Sequence, residues 1–174
     1  MIYLENKIKI RAPLEEVVDW LSNLPQHYQA WHPKDHIGFK TLKNEQELKE
    51  GSIAEAVERI GKFTLSFKFR VAGAESDKMG WRMNWQAIFP YSLMNLRGNF
   101  IAKEQNGITE LTAIASYGWQ IMLFERLLNW IIDLLFANRE AVAKHMREEG
   151  EYLKAAIESP DKMKSKWEIS AAKF

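Results

Sequence analysis

The chain has 174 residues, of which 47% are hydrophobic, 12% aromatic and 27% charged, and its formal net charge is +1. That length suits one domain, the apolar content supports a sizeable core and excludes a disordered chain, and a charge so near zero gives no case for nucleic acid or an acidic membrane surface as partner. The absence of cysteine excludes disulfides and thiolate metal sites, so any metal would have to be held by histidine and carboxylate.

Residues 2–10 alternate, with Ile2, Leu4, Ile8 and Ile10 among polar neighbours, and predict a first strand. The opening MIYLENKIKIR has no continuous apolar run of the kind a secretory signal needs, so the expected location is cytoplasmic. Ala12-Pro13 breaks the strand. Leu14, Val17, Val18 and Leu21 recur at helical spacing, with Glu15 and Glu16 in the first turn where the helix dipole favours them, and Pro25 is expected to end or kink that helix. Residues 27–36, HYQAWHPKDH, hold three of the four histidines: His27, His32 and His36. Residues 40–51 are polar and read as a loop or short helix ending at Gly51.

From Ser52 the pattern turns to strands. Residues 53–60 form one, and 63–71 another with Phe63, Leu65, Phe67, Phe69 and Val71 on one face. Gly73 and the Glu75-Ser76-Asp77 cluster predict a turn. Trp81, Met83, Trp85 and Ala87 alternate with Arg82, Asn84 and Gln86, the pattern of a strand with one wet face. Residues 95–103 and 108–119 make a further pair around Asn106-Gly107, a strong hairpin signal. Trp81, Trp85 and Trp119 could line a pocket or belong to an ordinary core.

The longest periodic segment runs from Ile121 to Ser159, with Pro160 as its stop. Phe124, Leu127, Leu128, Ile131, Leu135 and Val142 form its apolar stripe, while Glu125, Asn129, Asp133 and Glu140 face water. Residues 121–136 are apolar, but Glu125, Arg126, Asn129 and Asp133 make them too charged and too short to span a bilayer. Beyond Pro160 lies a Lys-rich tail, so the expected organisation is one domain over 1–159 and a tail over 160–174. Continued toward its end, the stripe reaches His145, Glu149 and then Leu153. A histidine and a carboxylate at i and i+4 on a face meant for burial need partners, because burying them unpaired costs several kcal/mol. They could satisfy each other, sit in water at a cavity mouth, or share a metal ion. Glu148 and Glu151 project away from the stripe, and Tyr152, near Glu149, could enter a cavity.

Strand, helix, several antiparallel strands and a long terminal helix make an α+β chain. That order resembles the helix-grip fold of the START-like (SRPBCC) superfamily, in which a curved antiparallel sheet wraps around a long C-terminal helix and encloses a cavity. The motifs Tyr28-Gln-Ala-Trp31-His32-Pro33-Lys-Asp35-His36, Glu58-Arg-Ile60-Gly61 and His145-Met-Arg-Glu148-Glu149 are similar to those of the diacetylphloroglucinol/phloretin hydrolase family. The resemblance implies a zinc ion held by His36, Glu58, His145 and Glu149. It implies a role for Tyr28 in substrate handling, and Tyr28 and His32 are the candidates for proton transfer or orientation. It also implies cleavage of a carbon–carbon bond between an acyl group and an aromatic ring. The sequence is shorter than those hydrolases and is expected to lack the additional segments that help shape their substrate pocket, so the resemblance bears on the metal site more than on the substrate.

The residues themselves leave alternatives. Ala54, Ala56, Glu58 and Ile60 share one face of their strand, but Glu55 would be the rival ligand if the register slipped by one. His32 could face substrate or support a ligand, and Asp35 could orient a ligand histidine. Two functions from different classes follow. One is a zinc-dependent hydrolase. The other is a non-catalytic carrier or sensor that encloses a small apolar or aromatic molecule, with self-association left open in both.

Overall fold

The computed structural model describes residues 1–77, 80–118 and 139–159. Its frame is a seven-stranded antiparallel sheet of β1 (Ile2–Ile10), β2 (His36–Thr41), β3 (Ile53–Ile60), β4 (Phe63–Asp77), β5 (Gly80–Ala87), β6 (Arg97–Gln105) and β7 (Ile108–Tyr117). The strand order is β1-β7-β6-β5-β4-β3-β2. Two helices, α1 (Leu14–Ser22) and α2 (Leu24–Trp31), connect β1 to β2, a distant pair at opposite edges of the sheet. The terminal helix α3 (Arg139–Glu158) lies against β1 and reaches α2 and β3. This is the helix-grip fold.

The alternation on the central strands sorts the two faces. Phe67, Phe69 and Val71 of β4 and Trp81, Met83 and Ala87 of β5 are buried, whereas Lys68, Arg70, Arg82 and Gln86 are exposed. The inward side chains join Val17, Leu21, Leu24, Tyr28 and Trp31 of α1 and α2 and Leu153 and Ile157 of α3 in one core. At the β6–β7 turn, Asn106 and Gly107 both adopt positive φ, 54° and 73°. Two such residues in succession match the right-handed twist of the flanking strands.

Three expectations need correction. Pro25 does not end the helical region; it sits in the first turn of a new helix, α2, where its missing N–H is no loss. His27 and Tyr28 are therefore helical. The 40–51 region is preceded by a full edge strand, β2, whose register with β3 shifts between His36 and Gly38. The turn expected from Gly73 to Asp77 is part of β4, because a register shift between Val71 and Gly73 absorbs the irregularity and lets pairing with β5 continue to Asp77↔Gly80. The helical stripe over 121–138, Trp119 and the tail 160–174 lie outside the described residues. No helix among those described is long and apolar enough to cross a membrane.

Two contacts set where α3 lies. Asn6 of β1 donates its side-chain N–H to the Met146 carbonyl at 2.8 Å, and the Trp31 indole N–H donates to the Glu149 carbonyl at 3.0 Å. Gly150, next along the helix, packs directly on β1. A Cβ there would fall 2.6 Å from Asn6 Nδ2 and 2.9 Å from Ile8 Cγ2. The glycine thus brings His145 and Glu149, on the preceding turn, to the inside of the sheet.

Candidate functional site

The site is assembled from three places. Where α2 ends, His36 N–H donates to the His32 carbonyl at 2.8 Å, and the chain enters β2 at His36. His36 is paired across the sheet with Glu58 of β3. On β3, Ala54, Ala56 and Ile60 are buried, and Glu58 shares their face, half-buried. Glu55 faces outward, bonded to Ser66 at 3.0 Å and paired with Lys40 at 3.1 Å. The one-residue slip that would have made Glu55 the rival is therefore not the register adopted. From α3, His145 is 5% exposed and Glu149 follows one turn later.

His36, His145 and Glu149 come together, and Glu58 lies beside His145. His36 Nε2 lies 2.9 Å from Glu149 Oε1, and the same oxygen lies 3.6 Å from His145 Nε2. Glu58 Oε2 is 3.8 Å from His145 Nε2, and Tyr28 donates its hydroxyl proton to Glu58 Oε1. Tyr28 also stacks on His36, with ring centroids 4.1 Å apart and planes inclined by 9°.

The hydrogen-bond partners fix where the protons sit. His36 Nδ1 lies 2.8 Å from the Tyr28 carbonyl oxygen, which can only accept, so that nitrogen carries the ring proton. Its Nε2 therefore presents a lone pair to a carboxylate oxygen. Two acceptors at 2.9 Å require a positive centre between them, either a second proton or a metal ion. Burial alone would lower the His36 pKa, but the Glu149 hydrogen bond and the charges of Glu149 and Glu58 outweigh it and raise the pKa above the ordinary value. Burial would likewise raise Glu149, but His145 and His36 together hold it below the usual carboxylate value. Without a metal, His36 and Glu149 thus form an imidazolium–carboxylate pair. Glu58 is pushed up, by burial first and by Glu149, against the pull of His36 and His145. Tyr28 is pushed well up, by burial and then by Glu58, so it remains a neutral phenol and a proton donor.

Both His145 ring nitrogens are buried without a hydrogen-bond partner among the described residues. Separations of 3.6 and 3.8 Å to carboxylate oxygens are too long for hydrogen bonds. They suit donors around a shared ion, since ligands at about 2.1 Å from zinc in a tetrahedral array lie roughly 3.4 Å apart. The residues present therefore fit a zinc-sized ion, and His36, His145 and Glu149 form a compact three-donor group.

The cluster forms one wall of a cavity of about 170 Å³. Tyr28, Glu58, His145 and Glu149 face it, while Phe39, Phe67, Phe69, Met83, Trp85 and Phe100 supply apolar and aromatic walls. Of the tryptophans considered from the sequence, Trp85 lines the cavity and Trp81 is buried in the core. Gly98 lets the Trp85 ring lie flat on β6, since a Cβ there would come within 2.6 Å of the indole. His32 is 1% exposed but is not part of the cavity wall. It packs behind His145 with ring centroids 5.0 Å apart, its pKa lowered by burial and by His145 and His36. His27 stands apart and stacks on Trp20 at 5.2 Å. Tyr152 does not enter the cavity; it is 36% exposed and sits edge-on to His32. Asp35, 9% exposed, places Oδ2 3.7 Å from His32 Nδ1 and 3.8 Å from His145 Nδ1.

No protein-family model matches the sequence, and no curated protein matches it significantly. Solved structures do resemble it. Ginseng (Panax ginseng) major latex-like protein 151 superposes with a TM-score of 0.67 at 11% identity, over 88% of this chain and 95% of its own. Truncated norcoclaurine synthase from Thalictrum flavum gives 0.61 at 9% identity, over 91% and 94%. A protein from Thermus thermophilus gives 0.61 at 14% identity, over 92% and 99%. Each likeness is one of fold.

Proposed function

We propose that the protein encloses a compact apolar or aromatic molecule in the helix-grip cavity and anchors an oxygen of that molecule at the Tyr28–Glu58 wall. The observation that carries this reading is the cavity itself: mostly apolar and aromatic walls with the ionisable Glu58, His145 and Glu149 gathered together, the usual make-up of a small-molecule site. A cavity of about 170 Å³ is on the scale that holds one aromatic ring, since an engineered apolar cavity of about 150 Å³ takes up benzene. The named neighbours, a major latex-like protein and a norcoclaurine synthase, have the same architecture and support a ligand-enclosing role without specifying the ligand. Trp31 and Trp85 face the cavity and report on it. Titration with single-ring aromatic ketones should quench their fluorescence saturably at one ligand per chain. Ala113→Phe, which fills the cavity from β7, should abolish the effect. Equal quenching in both proteins would place the ligand elsewhere and defeat the reading.

A second reading is favoured by the converging acceptors: a metal-dependent hydrolase that splits an acyl group from an aromatic ring. His36, Glu58, His145 and Glu149 would hold zinc, which when bound supplies a Lewis acid and lowers the pKa of water. The chain's own residues would do the rest. The aromatic walls exclude bulk water and hold the ring. Tyr28, kept neutral, holds a proton that it can share with Glu58 or offer to a substrate oxygen. His32 supports His145 from behind. The untagged protein should carry about one zinc per chain. Loading should weaken as pH falls from about 8 to about 5, because protons compete for His36 Nε2. Protein that neither carries nor takes up zinc would remove this reading. Zinc-loaded protein that cleaves no acylated phenol would leave the site and remove the reaction.

A further inference from the structure

Two tryptophans line the cavity, Trp31 from α2 and Trp85 from β5. Trp85 stands directly across the sheet from Gly98 of β6. A Cβ on Gly98 would fall 2.6 Å from Cε2, 2.6 Å from Cζ2 and 2.7 Å from Nε1 of the indole. Those three atoms are contiguous, and their near-equal distances put the ring over the Gly98 backbone. The backbone itself makes no demand for glycine. Gly98 is not among the glycines of positive φ, so its conformation is one that any residue adopts. Glycine weakens the interior of a strand and marks a place where something must approach closely. Here it is the Trp85 ring that approaches.

The β4 side of that ring is occupied. Phe67 and Phe69 lie against it, with centroids 6.1 and 5.5 Å away. The sheet is beneath the ring, and its remaining side belongs to the cavity. Beyond Gly98 the same row continues with Ala115 of β7, also small and also on the cavity wall. The row therefore carries one large side chain beside two small residues. The cavity keeps the volume that an upright indole would take.

We infer that the Trp85–Gly98 pair sets the size specificity of the cavity: the glycine lets the indole lie down on the sheet, which leaves room for one aromatic ring, and the indole excludes a second. The inference rests on the ligand-enclosing reading and adds to it the residues that limit what is enclosed. In Gly98→Ala the new methyl group forces the indole off the sheet. With Phe67 and Phe69 on its β4 side, the ring lifts into the space a ligand would use. In Trp85→Ala the space of a fused two-ring system opens instead. The two positions move the size limit in opposite directions.

Calorimetric titration with acetophenone, which has one ring, and acetylnaphthalene, which has two, tests this on both variants and on their combination. Wild type should take up acetophenone and exclude acetylnaphthalene. Gly98→Ala should bind acetophenone about 10-fold or more weakly, the discrimination one carbon can exert in an apolar pocket. Trp85→Ala should admit acetylnaphthalene, and Trp85→Leu replaces it as the test protein if it does not fold. Adding Gly98→Ala to Trp85→Ala should change acetophenone affinity by no more than about threefold, because no ring is left to lift. Melting temperatures should follow the same cycle, with Gly98→Ala lowering that of wild type and not that of Trp85→Ala. Wild-type acetophenone affinity in Gly98→Ala overturns the inference and leaves the ligand reading intact. So does a Gly98→Ala loss that persists without Trp85, or a Trp85 variant that still excludes acetylnaphthalene. A wild type that binds neither ketone defeats the ligand reading and the specificity role with it.

Discussion

Replacing His145 by alanine is expected to strip the protein of zinc while leaving its fold in place. His145 is the group on which the acceptors converge, through Glu149 at 3.6 Å and Glu58 at 3.8 Å. The affinity should fall by more than the roughly 10–100-fold that removal of an outer partner costs. The metal-free fold should lose only about 1–3 kcal/mol, because among the described residues both His145 nitrogens are without hydrogen bonds and the truncation orphans no strong partner there. If the chain is a carrier without a metal, the same variant should bind an aromatic ketone as well as wild type does. Zinc content, chelator competition and thermal denaturation of the apo proteins check the prediction together. A His145→Ala protein with wild-type zinc content would show that the ion lies elsewhere.

Gly150→Val should be the most damaging change away from the cavity. The side chain would enter space held by Asn6 Nδ2 and Ile8 Cγ2, at 2.6 and 2.9 Å from the first added carbon. Overpacking of this kind costs about 1–3 kcal/mol, and a β-branched residue gains little helix propensity over glycine. The helix can relieve the clash only by moving off β1. That breaks the Asn6–Met146 hydrogen bond and carries Glu149 away from His36. Reduced thermal stability together with weaker zinc uptake is the expected result. A variant with lowered stability and unaltered uptake would show that α3 is held at its site end by Trp31 alone.

Much of this arrangement is legible in the sequence where a period is long. The alternation put Ala54, Ala56, Glu58 and Ile60 on one face but left Glu55 as a rival one register away; β3 buries Ala54, Ala56 and Ile60 on that face and turns Glu55 toward Ser66 and Lys40. The helical spacing from Val142 to Leu153 predicted an inward His145, and it is buried. What escaped has local causes. Proline is as much at home in the first turn of a helix as after the last one, so Pro25 alone could not distinguish the end of α1 from the start of α2. β2 has six residues and begins with a register shift, which leaves too little alternation to read. Gly73 and the acidic residues after it carry turn chemistry, yet a bulge accommodates them within β4.

The central claim is that the cavity is the ligand site and that its polar wall anchors an oxygen of the ligand. A crystal structure of the protein soaked with a single-ring aromatic ketone tests it most directly. The account predicts the ring among Phe67, Trp85 and Phe100, with its oxygen turned toward Tyr28, Glu58 and His145. A ring bound on the outer face of the sheet, or a fully accessible cavity that stays empty at saturating ketone, would contradict it.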